Sequence, residues 1–262
     1  MKGKQPALVF FSFLVYLFLL GPLVIIVVTS FGSGIVLKFP PEELSLRWYK
    51  NIFDVQMFVK TFSISMAVSL GGNILAVALG MPAAYSLSRS PSRSSAALNV
   101  VFLSPALIPG IVLGFAMLNY LIVAWHLPLV LGLLIGHTVI MLPFIVRVLA
   151  SSLAHFDFAV EDAALSLGSG RLKAFFSVVL PNIRSGVIAA VLVAFLESFN
   201  NVDISVYMTG PGFSTLPIEM LSYVENNFDP TIAAISVLLM VMTGGLMFLI
   251  DRLSGLSYLM RR

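Results

Sequence analysis

Six stretches of this chain are apolar for long enough to cross a lipid bilayer, which constrains its fold more than any other feature. They lie near 7–30, 61–87, 98–124, 129–150, 183–207 and 231–250. A helix that spans the hydrocarbon layer needs about 20 consecutive apolar residues. Charged residues make up only 10% of the 262, against ~25% in soluble domains. A water-exposed surface cannot be built from so few charges, so lipid is the main solvent. That excludes an ordinary soluble enzyme and a nucleic-acid-binding domain. Backbone polar groups must be satisfied internally in lipid, so spans of this length fold as helices. The expected class is all-α: a polytopic membrane protein of six transmembrane helices. Residues 1–262 are expected to form one transmembrane domain, with 151–182 as a loop within it. The first stretch, about 24 residues, is too long for a signal-peptide core of ~7–15 and lacks a small-residue cleavage site, so it reads as a retained span.

The basic residues set the expected orientation. With the N-terminus in the cytoplasm, eleven of them fall inside: Lys2, Lys4, Arg89, Arg93, Arg147, Arg171, Lys173, Arg184, Arg252, Arg261 and Arg262. Four fall outside: Lys38, Arg47, Lys50 and Lys60. The excess places both termini on the cytoplasmic side, since Lys and Arg are retained there. The net charge of +3 therefore describes orientation, not an anionic partner. Residues 31–60 form a long outer connection with an aromatic pair, Trp48-Tyr49, suited to the membrane interface. Gly21-Pro22, Pro105, Pro109 and Pro143 interrupt spans. Prolines are tolerated in membrane helices, yet the pair at 105 and 109 also suits a kinked helix lining a path that opens and closes.

The inner segment 151–182 has no span of its own. Asp157 is placed to cap a short helix through Ser166, with Asp162 in its early turns, where the helix dipole favours an acid. Gly168 and Gly170 end that helix, and Arg171 starts a second amphipathic piece. On composition alone these could be two helices lying on the inner leaflet.

The pattern is more specific than that. Glu161-Asp162-Ala163-Ala164, Leu167-Gly168, Phe175 or Phe176, Val178 and Leu180-Pro181 together resemble the EAA loop of membrane subunits in binding-protein-dependent ABC importers. Asp162 stands where that family usually has Glu, keeping the charge and losing one methylene of reach. The resemblance extends further. Ser45-Leu46-Arg47-Trp48-Tyr49 is similar to the motif before the second span. Gly80-Met81-Pro82-Ala83-Ala84-Tyr85 with Arg89, Leu103-Ser104-Pro105 with Pro109-Gly110, and His137 with Leu142-Pro143-Phe144 and Arg147 resemble successive span motifs. Ser198-Phe199-Asn200-Asn201 and Thr209-Gly210-Pro211 fall where the spermidine/putrescine branch has a Ser-Phe-Asp-acid run and a Gly-Pro, with amides here in place of acids.

What this resemblance implies is a MetI-like permease fold in the bacterial inner membrane. Cytoplasmic ATPase subunits, a second permease subunit (a heterodimer) and a periplasmic solute-binding protein are the implied partners. Glu161, Asp162, Ala163, Ala164, Gly168, Leu180 and Pro181 would couple the chain to the ATPase. The implied solute is a polyamine or related organic cation, with opines and other small organic solutes as alternatives. The outer acids Glu219, Glu225 and Asp229 would suit a cation.

Ionisable residues at membrane depth are rare and costly, so each is a functional candidate. Glu197, Asn200 and Asn201 share one stripe if the fifth span is helical throughout. At ~1.5 Å per residue Glu197 lies about 21 Å from Ile183. With Asp203 they are the candidate translocation path, against the alternative of interhelical packing. His137 reads as a hydrogen-bonded packing residue. Met residues number 12 but are scattered, which fits packing better than a metal relay. The sequence has no cysteine, so no disulfide or thiolate site. It has no P-loop, no His-Glu-x-x-His and no Gly-x-Ser-x-Gly elbow. No catalytic residue, metal or cofactor is expected; ATP hydrolysis would come from another chain. The rival reading is a self-sufficient secondary transporter or channel using Glu197 as an ion site.

Overall fold

The computed structural model describes residues 6–89, 93–227 and 229–254. The side chains of Lys2, Lys4, Arg93, Arg261 and Arg262, used for orientation, lie outside the described part. The described residues form helices connected by turns, with two isolated β-bridges and no named strand.

Among the described residues four helices are long and apolar enough to cross a membrane: Leu8–Ser30 within α1 (Pro6–Ser30), α3 (Gln56–Arg89), α6 (Leu129–Ala154) and Thr231–Leu249 within α12 (Thr231–Ser254). Two further pairs pass the same test only when joined across a bend. The first joins α4 (Arg93–Leu103) and its 3₁₀ extension Ser104–Leu107 to α5 (Gly110–Met117) and a π-helical stretch, Leu118–Ala124. It bends by 99°. The second joins α8 (Arg171–Ala174), the π-helical Phe175–Val179 and α9 (Leu180–Asn182) to α10 (Arg184–Phe199), bending by 77°. Counting each pair as one span gives six.

The expected third span is thus broken, not merely kinked. Ile108 is extended (φ −93°, ψ 132°) and Pro109 follows at φ −52°, ψ 129°. Proline disfavours the helical region for the residue before it, and the chain turns there. Pro22, Pro82 and Pro143 by contrast sit inside continuous helices. The fifth span also differs from expectation. Its helix stops at Phe199, not near 207, because Asn201 turns the chain: its Oδ1 accepts from Ile204 N at 2.9 Å. Short polar side chains compete in this way with the helical ladder.

The chain divides into two compact units, Thr61–Ile218 with Gly245–Arg262, and Met1–Lys60 with Glu219–Gly244. In the larger one, α10 packs antiparallel on α6, Gly186 facing Ser152 and Ser198 facing His137. Gly186, Ala190, Ala194 and Ser198 recur every four residues on α10 and are all buried. Such a small-residue stripe lets membrane helices approach closely. A Cβ on Gly186 would lie 2.5 Å from that of Ser152. Met141, Ile145, Val146, Leu149 and Leu153 of α6 fill the core beside it. Asn73 Nδ2 of α3 donates to the Val191 carbonyl at 2.7 Å, tying a third helix to α10.

In the smaller unit, α2 (Arg47–Asp54) turns Trp48 and Ile52 inward, so Trp48 is buried in the protein where an interfacial position was expected. Tyr49 OH lies 2.7 Å from Ser30 Oγ. Asn51 Nδ2 donates to Thr231 Oγ1 at 2.9 Å. Tyr223 of α11 (Leu216–Asn226) donates from its OH to Asp229 Oδ2, beyond the end of that helix, at 2.8 Å.

Candidate functional site

The segment after α6 folds as the capping pattern predicts. Asp157 Oδ1 accepts from Ala159 N at 2.9 Å and opens α7 (Phe158–Ser166). Gly168 ends it at φ +89°, a conformation that costs any residue with a Cβ. No atom lies within 4 Å of where a Gly168 Cβ would stand, so the backbone angle alone calls for glycine.

The two acids of α7 part company. Asp162 is more than half exposed, whereas Glu161 is buried to 1% exposure and points toward the end of α3. There Tyr85 OH donates to Glu161 Oε1 at 2.5 Å. Arg89 pairs with Asp162 Oδ1 and brings its Nε to 3.8 Å from Glu161 Oε2, an oxygen with no hydrogen bond. The guanidinium also lies over the Phe158 ring at 5.0 Å. Tyr85 meets Phe158 and Phe175 edge-on, at 6.2 and 5.3 Å. Ala174, Val179 and Ile183 are buried beneath, with Leu180 packed on the same core and Pro181 exposed. The sequence placed Glu161 on a docking surface, but its carboxylate faces inward and fastens α7 to α3. Tyr85 and Arg89, one helical turn apart and so on one face, are the partners that sequence reasoning did not assign.

This segment also exposes several apolar side chains, beside the charged Arg171 and Lys173. Leu167 is 90% and Leu172 77% exposed, with Val160, Ala163 and Phe176 also exposed.

The candidate path residues do not form one helical stripe. Glu197 is exposed on α10, and Asn200 is its exposed C-cap, donating from Nδ2 to Leu196 O at 3.0 Å. Asn201 and Asp203 lie in the turn beyond. Asp203 presses on the first turn of α5: a Cβ on Gly110 would collide with its carboxylate, and one on Gly114 would lie 2.6 Å from its carbonyl oxygen. Asp203 thus stands against the break in the third span. Glu197 and Asp203 still lie close enough for their charges to interact. Among the described residues no cluster of His, Asp or Glu could hold a metal ion.

The family model described as "Binding-protein-dependent transport system inner membrane component" matches residues 76–256. The chain belongs to this family. It is thus an inner-membrane component of a transport system and not an enzyme in its own right. Among similar permeases is the putrescine transport system permease protein PotI of Escherichia coli K12, 27% identical over 92% of this chain and 88% of the relative. The spermidine/putrescine transport system permease protein PotC of Haemophilus influenzae is 25% identical over 91% of this chain and 93% of its own. Among solved structures, a bacterial ABC transporter that imports the acidic polysaccharide alginate superposes with a TM-score of 0.72 at 14% identity, covering 96% and 98% of the two chains. The MetNI methionine ABC transporter, in an inward-facing form, gives 0.62 at 20% identity, covering 77% and 96%. At such identities the structural likeness establishes the permease fold alone.

Proposed function

We propose that this permease forms half of the translocation path of an ATP-driven importer for a polyamine or related small organic cation. A second permease forms the other half, two ATPase subunits bind below, and a periplasmic binding protein delivers the solute from above. Both termini face the cytoplasm. The relatives named for putrescine and spermidine support the solute class, together with the acids Glu197 and Asp203 on and beyond α10.

One observation carries the coupling role: α7 is fastened on one side by Tyr85 and Arg89 and bare on the other. A lever needs both. Leu167, Leu172 and Phe176, with Ala163 and Ala164 preceding them on α7, offer an apolar, closely approachable surface to an ATPase groove. Glu161 and Arg89 pass the motion of that surface into α3, and Leu180 and Pro181 pass it toward α10. ATP binding draws the ATPases together and opens the path outward; hydrolysis resets it. This is alternating access by rigid-body rocking. Glu197, Asn200, Asn201 and Asp203 line the path.

Asp162→Lys combined with Gly168→Leu should abolish ATP-dependent uptake of labelled putrescine in proteoliposomes while the chain still inserts and assembles. Normal uptake by that double variant overturns the coupling role. Uptake by the unaltered complex without ATP would instead favour a self-sufficient carrier.

A further inference from the structure

The non-helical turn beyond α10 is gripped at both ends by one imidazole. His137, on α6 and 2% exposed, has Nδ1 at 2.7 Å from Ser198 Oγ and Nε2 at 3.1 Å from Ser205 Oγ. Ser198 is the penultimate residue of α10, and Ser205 opens the short 3₁₀ helix Ser205–Tyr207. Both serines are buried, and between them lie Asn200, Asn201 and Asp203. We infer that His137 is the positioning residue of this turn, setting where those three side chains stand. The inference rests on the path reading above.

A bond between two membrane helices holds elements that are already rigid. This ring instead spans a turn held by isolated local bonds, Asn201 N to Ser198 O, Ile204 N to Asn201 Oδ1 and Val206 N to Val202 O, and non-helical backbone at membrane depth must be satisfied by protein or by water. The ring nitrogens sit at a fixed separation, so they fix the spacing of Ser198 and Ser205 and thus the reach of the turn. The protons can be counted. Ser198 Oγ donates to Ser69 Oγ at 3.0 Å, so it accepts from Nδ1–H. A neutral imidazole then has only a lone pair at Nε2. Ser205 has one proton for two acceptors, Nε2 at 3.1 Å and the Asn201 carbonyl at 2.9 Å. That hydroxyl makes one of these bonds at a time: turned to Nε2 it joins the ring to the far end of the turn, and turned to the Asn201 carbonyl it closes the turn on itself. The far limb, through Ser205, acts on the turn while that proton faces Nε2; the near limb anchors a helix end.

The side-chain amide of Gln reaches the Nε2 position, and that of Asn reaches Nδ1, which separates the limbs. The chain has no cysteine, so Val202→Cys gives a single labelling site within the turn. The assembled transporter is reconstituted in proteoliposomes with labelled putrescine as the probe solute. Two quantities are read: the mobility of a nitroxide at 202, and solute imported per ATP hydrolysed. His137→Ala should sharpen the nitroxide spectrum and cut import per ATP by about tenfold, with binding-protein-stimulated ATPase held within about twofold. His137→Gln should restore both readings, and His137→Asn should not. An unchanged spectrum in His137→Ala overturns the inference, as does a parallel loss of import and ATPase that Gln fails to rescue. Glu197→Gln and Asp203→Asn are measured alongside. If neither alters import while His137→Ala still loosens the spectrum, the path reading falls and the positioning of the turn stands.

Discussion

Replacing Tyr85 with Phe deletes one oxygen at the junction of α3 and α7 and leaves the ring contacts with Phe158 and Phe175 in place. The lost bond ran to Glu161 Oε1 at 2.5 Å, on a side chain only 1% exposed. Water cannot take the hydroxyl's place without opening the junction. The other oxygen already has no hydrogen bond and only a 3.8 Å approach from Arg89 Nε. A hydrogen bond to a charged group is worth about 1.5–3 kcal/mol. If α7 opens locally before the whole chain unfolds, that loss speeds its opening equilibrium by roughly 10- to 150-fold, at 1.4 kcal/mol per decade. Amide hydrogen exchange across 158–166, in the purified protein in nanodiscs, reads this directly. Glu161→Gln supplies the control: if the two groups act on each other, the double variant falls short of the sum by about 1–2 kcal/mol. Unchanged exchange in Tyr85→Phe, or strict additivity with Glu161→Gln, would refute the fastening.

Gly110→Ala should displace the Asp203 carboxylate from the start of α5 and lower putrescine uptake, with insertion preserved; uptake equal to that of the parent would overturn it. The Tyr223 phenol is pushed above its usual range, first by burial and then by its bond to Asp229. A raised pKa in the folded state contributes stability that is whole below the unfolded value of ~10 and is lost as pH climbs through the folded one. Thermal unfolding in detergent should therefore decline more steeply above about pH 10 in the parent than in Tyr223→Phe; identical profiles would contradict this.

Much of this architecture could be read from local pattern. Long apolar runs located the spans, Asp157 and Gly168 located the ends of α7, and the order of motifs from Tyr85 to Pro181 pointed to the family. What escaped was decided at a distance or by competition within the backbone. Glu161 and Asp162 are neighbours with the same charge, and their fates diverge because Tyr85, 76 residues earlier, approaches from one side only. Helical periodicity carried α10 past Asn200, but the Asn201 side chain captured the Ile204 amide and ended the helix at Phe199. The prolines at 105 and 109 signalled an irregularity, and the 99° bend followed from the extended Ile108 between them. His137 is the hydrogen-bonded, buried residue that was expected, but its partner Ser205 lies beyond a turn that the sequence did not reveal.

The uncovered leucines of the 151–182 segment also bear on how the cell makes this protein. Leu167 projects from the turn that ends α7, outside the candidate spans, and Leu172 and Phe176 stand exposed on the short helices that lead into α10. In the proposed assembly an ATPase covers them. A chain synthesised in excess of that partner would carry exposed apolar surface into water, the feature that promotes aggregation. Such orphan chains would be the ones that proteolytic surveillance removes. The abundance of the permease would then follow the supply of its ATPase, and subunit balance would be enforced after translation by the same surface that transmits force.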